Sequence, residues 1–112
     1  MEALLQYVWK HKMFPLKPLE TTDGLAVEVI DTGLQNSDAG PDFFNAKVKV
    51  GGTVWIGNVE VHERASLWRT HGHDRDRRYD NVVLHIVGEA DAEAYTNEGR
   101  RVAQVRLDVP PQ

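Results

Sequence analysis

Two adjacent glycines, Gly51 and Gly52, divide a stretch of β-forming residues and constrain the fold more than any other feature of the sequence. Alternating apolar residues precede them at 44–50 and follow them at 53–62. Paired glycines between two such runs are typical of the turn of an antiparallel hairpin. The sequence therefore predicts two adjacent strands, in which side chains on one strand have fixed neighbours on the other.

The remaining elements are arranged around this hairpin. Apolar spacings of three and four residues predict a helix at 2–14, which Pro15 ends. The other predicted elements are a strand at 25–30, a loop at 31–41, a helical turn at 65–68, a central strand at 81–87, a turn or short helix at 90–95 and a final strand at 101–109. This order predicts an α+β domain with a mixed central sheet and an N-terminal helix.

The composition is that of a globular domain without covalent cross-links. Apolar residues make up 41% of the 112 residues, which suffices for one hydrophobic core, so we expect a single domain over residues 1–112. The absence of cysteine excludes disulfides and thiolate zinc sites. No apolar run approaches the roughly 20 residues of a membrane helix, and the N-terminus lacks the pattern of a secretory signal. We therefore expect a cytoplasmic protein without a membrane segment.

Three ionisable residues stand at one end of the predicted hairpin: Asp42, Glu60 and His62. Glu60 and His62 are two apart in one strand, so their side chains share a face. Carboxylate oxygens and an imidazole nitrogen are suitable ligands for one divalent cation. Two carboxylates at one point also repel each other unless a proton or a cation lies between them. This local departure from strand patterning predicts a functional site.

The register of the hairpin decides whether Asp42 belongs to this site. If the glycine pair forms a two-residue turn, Phe43 opposes Glu60 and Asp42 faces away. If the turn has three residues, Asp42 opposes Glu60 directly. A bulge near Gly57 would also bring Asp42 round to the site. The sequence leaves these alternatives open.

The predicted order of helix, three strands, helix and strand carries Pro41-Asp42 on one strand and Glu60-Val61-His62 on the next. In this it resembles the α-β-β-β-α-β core of the PD-(D/E)XK nuclease superfamily, over roughly residues 2–88. The resemblance implies a restriction-endonuclease-like fold in which Asp42 and Glu60 hold Mg²⁺ or Mn²⁺. It also implies that His62 stands at the position of the motif lysine. A histidine there could orient or deprotonate a water molecule, or bind the metal.

Four longer stretches cover most of the chain: TTDGLAVEVIDTGLQNSDAGPDFFNAKV, GNVEVHERASLW, HGHD and YDNVVLHIV. They resemble the N-terminal region of an uncharacterised bacterial protein family, a domain of unknown function. Members of that family are considerably longer, so the resemblance implies that the chain corresponds to the N-terminal part of such a protein or to a short relative. It implies no particular activity.

Two more histidines, His71 and His73, follow the hairpin. With His62 they would form a three-histidine site, in which Asp74 could orient one ring. Such a set suits Zn²⁺, which we rank behind Mg²⁺ and Mn²⁺ as the expected cofactor. His85 lies in an apolar strand, and we expect it to be a hydrogen-bonded core residue rather than a ligand.

Four arginines are candidates for contacts with a nucleic-acid backbone: Arg64, Arg69, Arg77 and Arg78. Interspersed acidic residues and a net charge of −4 argue against a dedicated nucleic-acid coat protein. The leading hypothesis is a metal-dependent nuclease acting on phosphodiesters, with Asp42, Glu60 and His62 as catalytic residues. The alternatives are a catalytically inactive nuclease-like interaction module and a zinc-dependent hydrolase. The oligomeric state stays open.

Overall fold

The structure, a computed structural model, describes residues 1–109. Two α-helices, seven strands and two 3-10 turns follow one another among these residues. They are α1 (Glu2–Lys10), β1 (Leu19–Glu20), β2 (Ala26–Asp31), β3 (Leu34–Gln35), β4 (Phe43–Val50), β5 (Thr53–Arg64), α2 (Leu67–Thr70), the 3-10 turns His73–Arg75 and Arg77–Tyr79, β6 (Val82–Glu89) and β7 (Gln104–Arg106). The predicted α+β class with a mixed sheet is confirmed.

All seven strands belong to one sheet. Its order is β1-β2-β4-β5-β6-β7, and β3 pairs with the start of β4. The pairs from β1 to β5 are antiparallel, whereas β5–β6 and β6–β7 are parallel. A parallel neighbour requires a crossover connection. Between β5 and β6 this crossover consists of α2 and the two 3-10 turns, and it brings His71 and His73 against His62 on β5.

One face of the sheet packs against α1 and forms the main hydrophobic core. The helix buries Leu5, Val8 and Trp9, which lie three or four residues apart and so share one side of the helix. They join the inward side chains of β4, β5 and β6 in a single apolar cluster. The indole N–H of Trp9 donates to the carbonyl oxygen of Thr32 at 3.0 Å, which ties the helix to the loop before β3.

The opposite face lies under the crossover and has a different composition. A smaller apolar cluster there comprises Trp68, Tyr79, Val82, Ala94 and Val102. Beside it, fully or nearly fully buried polar side chains occupy positions at which a core would normally have aliphatic ones: Glu60, His62, His73, His85 and Gln104. The candidate site is therefore part of the second core of the domain.

A β-bulge in the hairpin answers the question of register. Next to the glycine turn, Val50 opposes Thr53, as in a two-residue turn, but beyond the bulge Phe43 opposes Val59. Two residues of β4, Phe44 and Asn45, thus face one residue of β5. Asn45 has φ 58°, a left-handed conformation that asparagine tolerates better than most residues. The bulge brings Asp42 beside Glu60 even though the turn has two residues.

Several boundaries differ from the sequence prediction. Helix α1 ends at Lys10 rather than at residue 14, because the chain turns back with Lys12 at φ 52°. The loop at 31–41 contains the short strand β3, and the final strand covers only Gln104–Arg106. The segment at 90–95 forms no helix, and Tyr95 makes an isolated bridge to Arg101. Over residues 1–109, no helix combines the length and the apolar character needed to cross a membrane.

Candidate metal centre

Asp42 and Glu60 meet where β4 and β5 run side by side, and each carboxylate is fixed by the backbone of the other strand. The N–H of Asp42 donates to Glu60 Oε1 at 3.2 Å, and the N–H of Val61 donates to Asp42 Oδ2 at 2.8 Å. These two crossed hydrogen bonds exist only because the bulge shifts the register. They hold two acidic side chains together at the rim of a buried face.

Burial and mutual repulsion change the acidity of this pair. Burial, and then the negative charge of Glu60, raise the pKa of Asp42 to about 8. Burial raises the pKa of Glu60 to about 7. Glu2, at the start of α1, has a raised pKa because of burial first and the charge of Asp42 second. Three neighbouring carboxyl groups with raised pKa values indicate a position at which a bound cation would be favourable.

Two imidazole nitrogens approach the same carboxylate oxygen. His73 Nε2 lies 2.9 Å and His62 Nε2 lies 3.3 Å from Glu60 Oε2. With metal–ligand bonds of about 2.1 Å, adjacent ligand atoms are about 3.0 Å apart in an octahedral site and about 3.4 Å apart in a tetrahedral one. The distances from Glu60 Oε2 to the two imidazole nitrogens are therefore those of neighbouring ligands of one metal ion.

His71 adds a third imidazole on the solvent side. Ligand atoms of His62, His71 and His73 all lie within 4.8 Å of one another. His71 is exposed, whereas His62 and His73 are buried. The cluster thus has a closed inner side and an open outer side, which is the arrangement of a metal site that admits a ligand from solvent.

A row of buried polar side chains continues from His62 into the core. His62 Nδ1 lies 2.7 Å from His85 Nε2, and His85 Nδ1 lies 2.7 Å from Gln104 Oε1. Burial, and then the neighbouring imidazoles, lower the pKa of His62 to about 2. Burial lowers the pKa of His85 to about 4. Both rings are therefore neutral at physiological pH, the state in which histidine binds metals.

Aromatic rings enclose the inner side of the cluster. The ring of His73 stacks on that of Tyr79, with centroids 3.6 Å apart and 12° between the planes. Trp68 meets His73 and His85 edge-on and donates its indole N–H to the carbonyl oxygen of Tyr95 at 2.8 Å. Such walls keep water away from the buried donors and strengthen electrostatic interactions within the site.

The five residues that the sequence predicted as metal or catalytic residues form a connected series of contacts. The N–H of Asp42 contacts Glu60, Glu60 contacts His62 and His73, and His71 lies with these two histidines. It does not bring together the four arginines. Arg64 lies in a groove with Met1 and Glu89, while Arg69 lies in another with Trp68 and Asp74.

The other two predicted arginines lie on the second 3-10 turn. The guanidinium of Arg78 donates to both carboxylate oxygens of Asp76, the shorter contact being 2.7 Å. Arg77 is exposed. Arg64 and Arg69 thus line different grooves, and the guanidinium of Arg78 is paired with Asp76.

Sequence reasoning missed three residues that belong to the surroundings of the site. Glu2 has no motif around it, and only the packing of α1 brings it near Asp42. Gln104 is distant in sequence, yet β7 places it beside His85. Tyr79 lies in a polar segment that gave no sign of a buried ring. For Gln104 a signal existed, since it is a polar residue between the apolar residues of a predicted strand.

The fold and the site together define an α+β domain with a buried cluster of carboxylates and imidazoles beneath a crossover. The chain belongs to the family described as "Protein of unknown function (DUF2851)", whose family model matches residues 2–112. No curated protein and no solved structure matches the chain. The resemblance to a domain of unknown function is thus confirmed, while the resemblance to PD-(D/E)XK nucleases stays a prediction.

Proposed function

We propose that this domain is a divalent-metal-dependent phosphodiesterase of the PD-(D/E)XK nuclease type. Glu60, His62 and His73 would form the inner part of the metal site, with Asp42 beside them and His71 at the solvent side. The order of elements is compatible with that superfamily, because β2, β4 and β5 are successive antiparallel neighbours and β6 follows a helical crossover parallel to β5.

One observation carries the proposal: a single carboxylate oxygen of Glu60 is approached by two imidazole nitrogens in a buried site. Two neutral imidazoles can each offer a lone pair there, and a lone pair facing a carboxylate oxygen needs a proton or a cation between them. A metal ion would accept the lone pairs of both imidazoles and offset the negative charge of the carboxylate. The second carboxyl group, that of Asp42, lies beside Glu60 and would add negative charge once a bound cation displaced its proton.

The ligands favour particular metals. Imidazole nitrogen suits Mn²⁺ and Zn²⁺, whereas Mg²⁺ prefers oxygen ligands and keeps several waters. A site with at least two imidazoles and one or two carboxylates is thus better suited to Mn²⁺ or Zn²⁺ than to Mg²⁺. Bound there, such an ion would lower the pKa of a coordinated water and offset the charge of a phosphodiester.

His62 stands at the position of the motif lysine, and its surroundings favour one of its two suggested roles. A general base works best with a pKa near the working pH. Burial lowers the pKa of His62 to about 2, so its ring is a weak proton acceptor. We therefore assign His62 as a metal ligand rather than as the base that activates water.

The groove beside the crossover is the place at which a nucleic-acid backbone would meet the site. Arg69, Arg75 and Tyr95 line this groove together with Trp68, which contacts His73. Arg69 and Arg75 are exposed, so their guanidinium groups are accessible to phosphate oxygens. Contacts of this kind would make binding strongly dependent on salt.

Metal binding is tested by the melting temperature of the chelator-treated protein with Mn²⁺, Zn²⁺ or Mg²⁺. At a hundredfold excess over Kd, a bound ion stabilises the folded state by about 2.7 kcal/mol. We expect Mn²⁺ or Zn²⁺ to raise the melting temperature more than Mg²⁺ does. Glu60→Gln should abolish the shift, whereas Glu28→Gln, at an exposed position on β2, should retain it. Equal shifts in Glu60→Gln and wild type would place the ion elsewhere.

Catalysis needs a separate measurement. Metal-loaded protein is incubated with single- and double-stranded DNA and RNA, and cleavage is compared between wild type, Glu60→Gln and Glu28→Gln. We expect cleavage by wild type and Glu28→Gln, and a loss of at least about a hundredfold in Glu60→Gln.

A metal-dependent melting shift without cleavage of any nucleic acid would contradict the nuclease assignment. It would favour one of the two alternatives, a nuclease-like module without activity or a zinc hydrolase of another substrate. The zinc hydrolase is supported by the three-histidine cluster His62, His71 and His73. Hydrolysis of a chromogenic ester by the zinc-loaded protein would distinguish the two.

A further inference from the structure

The amide of Gln104 has only one orientation that satisfies its neighbours. Its Nε2 lies 2.9 Å from the carbonyl oxygen of Ala92, which can only accept a hydrogen bond. The amide nitrogen must therefore face Ala92, and Oε1 must face His85 Nδ1 at 2.7 Å. An amide oxygen can only accept, so His85 carries a proton on Nδ1.

This proton determines the state of the other nitrogen of His85. The ring is fully buried, and both of its nitrogens contact neutral groups, so the imidazole is uncharged. With its single proton on Nδ1, His85 has a lone pair on Nε2. That nitrogen can only accept from its partner, His62 Nδ1, at 2.7 Å.

The same reasoning extends to His62. Its Nδ1 must carry the proton that His85 accepts, and a neutral ring then has its lone pair on Nε2. Nε2 is the atom that lies 3.3 Å from Glu60 Oε2, at the candidate metal site. A chain of hydrogen bonds thus runs from a backbone carbonyl on one side of the core to the metal-facing atom on the other.

We infer that Gln104 and His85 are positioning residues that lock His62 in the Nδ1–H form and so present its Nε2 lone pair to a metal ion. The effect on metal affinity rests on the proposed metal-dependent function. The tautomer of His62 does not, because it is a property of the metal-free chain. Hydrogen-bond partners on the far side of metal-binding histidines fix the tautomer and orientation of the ring, and their loss typically weakens metal binding 10- to 100-fold.

His73 provides an internal comparison. Its Nδ1 is buried without a hydrogen-bond partner among the described residues. No chain of partners therefore selects its tautomer from behind, in contrast to His62. A substitution at position 104 should change the tautomer of His62 and leave that of His73 as it was.

The test combines a tautomer measurement with a metal titration. Long-range ¹⁵N–¹H spectra of the metal-free chain report which ring nitrogen of each histidine is protonated, and calorimetric titration with Zn²⁺ reports affinity. The variants are Gln104→Met, which removes the acceptor, and Gln104→Glu, whose buried protonated carboxyl can still accept from His85 and donate to Ala92. Gln35→Met, at an exposed position on β3, is the control.

We expect His62 to be protonated on Nδ1 in wild type, in Gln104→Glu and in the control. In Gln104→Met we expect a mixture of tautomers and Zn²⁺ affinity 10- to 100-fold lower, with His73 unchanged. Protonation of His62 on Nε2 in the wild type overturns the inference without any variant. The inference is also overturned if Gln104→Met has the same His62 tautomer and the same Zn²⁺ affinity as the wild type. That result would leave the proposed metal centre unaffected.

Absence of both Zn²⁺ and Mn²⁺ binding by the wild type, by contrast, is a failure of the proposed function. The role of Gln104 in metal affinity would then fall with it. The spectra of the metal-free wild type distinguish this result from a failure of the hydrogen-bond chain, because they require no metal.

Discussion

Asp42 and Glu60 show how one site can be acidic and nearly uncharged at the same time. Each accepts a backbone N–H from the opposite strand, and burial raises the pKa of both. In the metal-free chain a proton is therefore retained near neutral pH where a cation would otherwise lie. Protons and metal ions compete for the same oxygens, so metal affinity should increase as the pH rises.

The stability of the metal-free chain should also depend on pH. Above pH 6.5, the unfolded carboxyl groups have lost their protons, whereas folded Glu60 and Asp42 lose theirs near pH 7 and pH 8. The folded state then binds more protons than the unfolded state, so stability falls as the pH rises from 6.5 towards 8. The slope is at most about 1.4 kcal/mol per pH unit for each carboxyl group.

Urea unfolding with chelator at several pH values measures this slope. Asp42→Asn should flatten it, and Asp38→Asn, at an exposed loop position, should not. Below pH 6.5 the buried neutral histidines oppose the carboxyl groups, because unfolded histidines take up protons that folded His62 and His85 do not. An unchanged slope in Asp42→Asn would mean that Asp42 is ionised throughout.

At the level of the elements, the bulge in β4 is the feature that creates the site. If the same sequence paired with β5 without a bulge, the two-residue turn would place Asp42 opposite Val61 on the α1 face of the sheet, and Phe43 would face the histidines. The backbone of the bulge is supported by the N–H of Asn45, which donates to Asn58 Oδ1 at 3.3 Å. Gly33 permits close approach of β3, because a Cβ there would lie 2.6 Å from the carbonyl oxygen of Phe44.

Substitutions at Asn45 should separate stability from site geometry. Asn45→Gly fits the left-handed backbone and should keep both stability and metal binding, whereas Asn45→Val should cost about 1–3 kcal/mol. Insertion of an alanine between Asp42 and Phe43 should move Asp42 from opposite Glu60 to opposite Val61, turn it away and reduce the melting shift produced by Zn²⁺. Urea unfolding and melting curves measure these effects. An insertion variant with the full Zn²⁺ shift would show that Asp42 has no part in binding.

The sequence could predict the hairpin and the polar residues at its end, because both follow from local patterns. Period-two alternation indicated the strands, and the glycine pair indicated the turn. A bulge near Gly57 was one of the alternatives that the sequence left open, but the sequence could not select it, since nothing in the local pattern distinguishes Asn45 from an ordinary exposed strand residue. Its conformation depends on pairing with both β3 and β5. The contribution of Gln104 likewise depends on parallel pairing with a strand far away in sequence.

For the whole molecule, the two faces of the sheet have different roles. The α1 face is closed by aliphatic side chains and Trp9, and it supplies most of the apolar burial. The crossover face contains buried ionisable groups whose desolvation is costly. Chains that bury polar groups in this way commonly exchange stability for function. A bound ion would offset that cost on the second face.

The crossover between β5 and β6 has a consequence for the order of events in folding. His71 and His73 belong to a connection that is fixed only after these two strands have paired in parallel, a non-local and intrinsically slow step. The ion should therefore bind after the folding transition state. Stopped-flow kinetics should show Zn²⁺ slowing unfolding by about a hundredfold at a hundredfold excess over Kd, with the folding rate unchanged. An increase in the folding rate with Zn²⁺ would contradict this order. The expected result would mean that the bound ion sets the lifetime of the folded molecule.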